Sequence, residues 1–160
     1  MVLLNEDEMF DLFNEKNFSK VETFISNYGI EAVDRDGRNL LANFIIERDK
    51  KNALKIIQIY NGKGLDINQA DSEGWTPLHF AVQEGIFPII EALVNAGVAI
   101  NKQDVYGRTP LFIAVFNRLP SKIIKYLIEN GADINIPNSE GISAHQFLSK
   151  GLAKWIDNYK

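Results

Sequence analysis

The stretch DSEGWTPLHFAVQEGIFPIIEALVNAGVAIN, residues 71–101, lies in register over DVYGRTPLFIAVFNRLPSKIIKYLIENGADIN, residues 104–135. Gly74 and Gly107 are 33 residues apart and Gly107 and Gly141 are 34 apart, the extra residue falling in the RLPSK turn around Pro120. A weaker copy, DRDGRNLLANFII, starts at Asp34, and its Gly37 precedes Gly74 by 37 residues, with the surplus in residues 48–64. Residues 138–160, NSEGISAHQFLSKGLAKWIDNYK, read as a degenerate copy cut short after its second helix. Repeats of this length are units that cannot bury an apolar face alone, so neighbours must stack.

Each copy carries its own folding instructions. Asp71 and Asp104 can fold back on nearby amides in an Asx-type turn, and Gly74 and Gly107 accept a positive φ without a Cβ penalty, which makes a hairpin tip. Thr76 and Thr109 then suit a helix N-cap, with Pro77 and Pro110 in the first turn, where no N–H is needed. Leu78 and Ala81, like Leu111 and Ala114, follow at helical spacing, and the alanines let successive inner helices approach. Ile89, Ile90, Leu93 and Val94, and Ile123, Ile124, Leu127 and Ile128, form the apolar stripes of two outer helices, ended by Gly97 and Gly131.

Asp-x-x-Gly, Thr-Pro-Leu-His, the small alanine, the paired aliphatics and the closing Gly-Ala or Gly-Val before aliphatic-Asn together resemble the ankyrin repeat. The resemblance covers about residues 34–156. It implies an all-α fold: an ankyrin-repeat solenoid of stacked helix-turn-helix units with short β-hairpin loops and helical caps at both ends. One domain over residues 1–160 is expected, made of an N-terminal helical cap (1–31), a degenerate repeat (34–68), two repeats (71–101 and 104–135) and a C-terminal capping repeat (138–160). Residues 6–14 and 18–28 read as the two amphipathic helices of the first cap, with Met9, Phe10, Leu12, Phe13, Val21, Phe24 and Ile25 inward. Leu152, Trp155, Ile156 and Tyr159 have the same spacing in the last.

Composition narrows the function classes. The chain has 160 residues, 46% hydrophobic and 24% charged, which suits one soluble globular domain. It has no cysteine, so disulfides, thiol nucleophiles and Cys-ligated metals are out. The opening MVLLNEDEMF has no basic region ahead of an apolar run, and no apolar segment approaches the roughly 20 residues of a membrane helix, so a cytoplasmic location and no membrane contact are expected. The net charge is −4, and residues 1–31 contribute seven acids against Lys16 and Lys20. No basic stripe is present for nucleic acid. A charge run of this kind is ordinarily a solvated helix face, yet it also suits a basic partner, whose binding salt would weaken.

Chemistry-bearing constellations are missing. His79 belongs to TPLH, and the family resemblance gives it a scaffold role, a hydrogen bond between repeats. His145 lies where GISAHQF departs from the motif and is expected to be a partly buried cap residue without a nucleophile to serve. Two separate histidines and turn aspartates do not assemble a metal site, and no metal or cofactor is expected. The GKG of residues 62–64 lacks the spacing and the Ser/Thr of a phosphate loop and reads as a turn, residues 61–64, after a lengthened helix. The chain is therefore expected not to be an enzyme.

What remains informative is the choice of residues where the fold leaves it free. In the ankyrin family, partners most often meet the concave face, built of hairpin tips and inner helices. Here that face holds Arg38, Glu73, Trp75, Val105, Tyr106 and Arg108 at the tips and Gln83, Phe116 and Asn117 at inner-helix ends. Trp75, Tyr106 and Phe116, with Arg38 and Arg108 beside them, are expected to face solvent as a partner-binding patch, because aromatics and arginine dominate interface energetics. The competing role is packing: Trp75 flat on the neighbouring hairpin and Tyr106 over the next turn. The expected function is a non-enzymatic protein-interaction module, a monomer when free, that acts by covering its partner. A specific version is a bacterial immunity protein that neutralises a toxin, for instance a basic enzyme; an alternative is a self-assembling structural protein.

Overall fold

The computed structural model describes Leu12 and residues 18–159. Among them are eight α-helices: α1 (Phe18–Tyr28), α2 (Leu40–Ile46), α3 (Lys50–Lys63), α4 (Pro77–Gln83), α5 (Phe87–Asn95), α6 (Pro110–Phe116), α7 (Ser121–Glu129) and α8 (Lys150–Tyr159). A 3-10 turn, Ala144–Phe147, stands between α7 and α8. The chain alternates inner helices (α2, α4, α6, then the 3-10 turn), which pack on one another in order, with outer helices (α3, α5, α7), each packed on the inner helix before it.

The helices start where their caps place them. Thr109 accepts from the Phe112 N–H (3.1 Å) ahead of α6, Asn39 from the Ala42 N–H (2.9 Å) ahead of α2, and Pro77 and Pro110 occupy the first turns of α4 and α6. Those side-chain bonds satisfy amides that a helix start leaves orphaned. The core runs the length of the stack. Leu41, Phe44, Ala81, Val82, Leu111, Ala114 and Ala144 come from successive inner elements, and Ile56, Ile89, Ile90, Leu93, Ile124 and Leu127 come from the outer helices, all buried. Each of the larger side chains, Leu, Ile, Val or Phe, contributes about 1.5–3 kcal/mol by leaving water.

Leu12, Val21 and Phe24 are buried in this core and Ile25 is half-buried against it, while Met9, Phe10 and Phe13 lie outside the described residues. Leu152 and Ile156 are buried at the other end, and Trp155 packs beside them. Tyr60, fully buried in α3, donates its hydroxyl to the Ile30 carbonyl (3.2 Å) and so ties α3 to the segment after α1. Burial and the carboxylates of Glu31 and Asp66 push that phenol well above its ordinary pKa.

The loops between units show how the stack is held. Each begins with an Asx turn: Asp34, Asp71, Asp104 and Asn138 accept from the amides two and four residues on, at 2.8–3.0 Å. Gly74 (φ +80) and Gly107 (φ +73) turn the tips, and a Cβ on Gly107 would stand 2.7 Å from the Ser139 nitrogen of the next tip. The tips also join by backbone: Ser72 N–H to Asp36 O, Val105 N–H to Glu73 O and Ser139 N–H to Tyr106 O, at 2.9–3.0 Å. The loops have isolated antiparallel bridges, Val33 with Asn39 and Pro137 with Ser143, and the described residues contain no extended strand, so the expected β-hairpins are tight turns.

Two local expectations change, the turn at GKG and the burial of His145. Residues 61–63 continue α3, which is closed by Gly64 at φ 64, so GKG is a helix end and its C-cap and not a turn beyond the helix. The surplus in the first repeat is this longer outer helix, 14 residues against 9 in α5. His145 is exposed, because the fourth inner element shrinks to one 3-10 turn and leaves the ring outside the stack. No helix of the described residues is long and apolar enough to cross a membrane.

Candidate protein-binding surface

The ends of the inner helices and the hairpin tips bring six of the expected residues to one place. A groove of about 460 Å³ is lined by Trp75, Gln83, Arg108, Phe116 and Asn117, together with Phe112, Ile113, Asn138, Glu140, Ile142 and Phe147. Tyr106 joins its edge through Arg108, whose guanidinium carbon lies 4.9 Å from the Tyr106 ring centre and 5.7 Å from that of Trp75. Across the groove floor Asn117 donates its amide to the Gln83 side-chain oxygen (2.9 Å), linking two units.

Exposure sorts these residues by what they can offer. Val105, Tyr106 and Phe116 are 58%, 54% and 57% exposed, and Phe147 is 42% exposed; these are the large apolar side chains that the described surface leaves in water. Phe116 stacks on Phe112 (centroids 5.9 Å, 12° between planes) and meets the edge of Phe147 at 5.3 Å. A cluster of this kind presents apolar area that is already ordered, which lowers the entropy lost when a partner covers it.

Trp75 differs from its expected solvent-facing position. It is half-buried, tilted against His79 (5.8 Å) and Phe80 (5.2 Å), with Arg108 over it. The indole therefore forms a wall of the groove and also packs within the stack. Arg38 does not line the groove. Its guanidinium is held by Asp34 (2.9 Å) and by Asp36, and its charge acts on Asp71, whose carboxyl burial nevertheless raises above its ordinary value. Val105 and Glu73 sit at the tips, joined by their backbone bond, and Glu73 is exposed.

Arg108 has a structural duty as well. Its Nη2 lies 2.7 Å from the Asp104 carboxylate, whose side chain is entirely buried, so the guanidinium neutralises a charge that water cannot reach. Next to it stands His79, fully buried. The Thr76 N–H (3.1 Å) and hydroxyl (2.8 Å) meet its Nδ1, and Nε2 lies 3.2 Å from the Arg108 carbonyl. Because a backbone N–H must donate, Nδ1 is the acceptor and Nε2 carries the proton. Burial lowers the pKa of this ring to about 4. A neutral imidazole with both nitrogens engaged inside the scaffold has no free position for a reacting proton. Among the described residues no three His, Asp or Glu side chains gather as metal ligands.

Glu140 is a hairpin-tip position of the same face, whereas the sequence does not single out Phe112, Phe147, Asn138 or Ile142. Phe147 stands six residues after Gly141, where the second and third units have Phe80 and Ile113 six after their glycines and the first has Asn43, so the two close copies mark it as an apolar position. What the register does not carry is that the fourth inner element is a 3-10 turn, which lifts the ring into the groove.

A column of helix-turn-helix units bonded tip to tip, with an apolar groove on its inner face, defines a solenoid repeat protein. The family profile described as ankyrin repeats (3 copies) matches residues 11–104 and 44–138, most of the chain, and the chain belongs to the ankyrin-repeat family. That family generally serves as a non-enzymatic module for protein–protein interaction. No curated protein matches the sequence.

Proposed function

We propose that the chain holds a partner protein on its inner face, with the groove around Phe116 and Phe147 receiving the partner's anchor side chain and Tyr106, Val105 and Gln83 completing the rim. The single observation that supports this reading is the convergence of four aromatic rings, Trp75, Phe112, Phe116 and Phe147, on one groove of about 460 Å³ beside exposed Tyr106. Apolar clusters of this type, ringed by amides such as Gln83, Asn117 and Asn138, match the make-up of interface hot spots. The module then acts by occlusion, covering part of its partner. The acidic first 31 residues, net −5, favour a basic partner, which is the basis for the narrower reading of an immunity protein that covers a basic toxin or enzyme.

The test is affinity capture with the wild type and with the double variant Tyr106→Ala/Phe116→Ala, followed by mass spectrometry and titration of what is retained. Both rings are more than half exposed, so the variant is expected to unfold at the same urea concentration. Binding should fall at least tenfold, since losing two anchors costs more than about 1.4 kcal/mol. A folded variant that binds every wild-type partner with unchanged affinity overturns the proposal.

A further inference from the structure

The turns from inner to outer helix repeat one unusual feature. Arg48 (φ 55), Gly85 (φ 64) and Arg118 (φ 55) stand at the same place, each eleven residues after its hairpin glycine. For arginine this left-handed backbone costs about 1–2 kcal/mol. In the first unit the arginine has a defined task. Arg48 Nη1 reaches the second unit, where it donates to the Glu84 carboxylate (2.6 Å) and to the Glu84 carbonyl (3.3 Å) at the end of α4.

Arg118 occupies that position in the third unit and is exposed, and its side chain makes no hydrogen bond or ion pair among the described residues. The cause lies in the fourth unit. Glu84 comes ten residues after Gly74, but ten residues after Gly141 stands Gly151, and the seven-residue inner helix is replaced by the 3-10 turn Ala144–Phe147. The carboxylate and carbonyl that the repeat geometry calls for are missing, and a groove of about 720 Å³ opens instead. Its walls include Leu119, Ile124, Phe147 and Leu152; its charged lining is Arg118 and Lys125, with no acid. An apolar groove with two cations and no counter-charge selects an anion that has an apolar body.

We propose that this second groove docks a partner-protein segment carrying a Glu or Asp side chain beside aliphatic residues, the carboxylate taking on Arg118 the place that Glu84 takes on Arg48. The stack thus supplies its own template for the ligand. The surface is distinct from the inner-face groove, sharing only Phe147 with it.

The probe is the chain's own segment PLHFAVQEGI, residues 77–86, acetylated and amidated, titrated into the full-length protein and followed by amide NMR. Saturable shifts are expected at Arg118, Lys125 and Phe147–Leu152. Arg118→Gly keeps the backbone conformation that Gly85 already adopts in the second unit, so the fold is retained and the test reads the side chain alone. It should weaken binding about fivefold, as should Glu84→Gln in the peptide, the value of one exposed charge pair. Tyr106→Ala, whose ring touches Arg108 and no residue of this groove, should leave binding here unchanged, so failure here is separable from failure of the inner-face reading. No saturable shift at millimolar peptide, shifts confined to Trp75, Asn117 and Glu140, or indifference to Arg118→Gly would overturn the proposal.

Discussion

Lowering the pH from 7 to 5 should weaken the stack through His79. The ring is fully buried between two units, and its pKa falls from the ordinary 6.5 to about 4, chiefly because burial disfavours the charged form, with the Arg108 guanidinium adding to the same side. The hydrogen bond to the Arg108 carbonyl and the Asp104 carboxylate oppose the shift. Since the folded pKa lies below the unfolded one, the unfolded chain binds the proton first. The contribution is complete above about pH 6.5 and is lost as the pH falls toward 4, where the folded ring also protonates. At pH 5 the unfolded histidine is almost fully charged and the folded one is almost neutral, which lowers stability by roughly 2 kcal/mol. For a domain stabilised by about 5–15 kcal/mol that is a large share.

Urea unfolding followed by circular dichroism at pH 7, 6 and 5 measures this loss directly. His79→Gln, which cannot take up a proton, should begin less stable, because the Thr76 amide and the Arg108 carbonyl lose their partner, and should lose far less over the same range. The ring's own titration by NMR gives an independent reading. Parallel losses in wild type and His79→Gln, or a His79 ring that titrates near 6.5 in the folded protein, would refute the reasoning.

Three further outcomes follow from the geometry. Gly107→Ala should cost at least about 1 kcal/mol more in urea than Gly97→Ala. Both glycines have positive φ, but a Cβ on Gly107 would meet the Ser139 nitrogen at 2.7 Å whereas one on Gly97 meets nothing within 4 Å. Tyr60→Phe should lower stability by about 1 kcal/mol, as the buried Ile30 carbonyl loses its donor; an unchanged midpoint would mean that this bond contributes nothing. Arg108→Ala should destabilise by about 2–3 kcal/mol, measured the same way, because it strands the buried Asp104 carboxylate. That substitution is therefore a poor test of partner binding, for which the exposed Tyr106 and Phe116 serve better.

The parts of this protein that depend on near neighbours in the chain are legible without coordinates. An aspartate that folds onto amides two and four residues on, a threonine cap followed by proline, and apolar residues at helical spacing each need only their own segment, so the repeat and its helices follow from the sequence. The ankyrin assignment rests on the same strings and holds. Other features depend on how units stack. Trp75 has the same sequence context whether it faces water or leans on Phe80, and only the position of Arg108 in the next unit decides for a half-buried wall. His145 and Phe147 are exposed because the fourth inner helix is reduced to a 3-10 turn, a change that the degenerate GISAHQF leaves open. Arg118 looks like one more surface arginine until Arg48 and Glu84 show what its position holds elsewhere in the stack. Burial, pKa and groove shape come from residues about 30 apart in sequence that share a boundary between units, and that boundary exists only once the stack has formed.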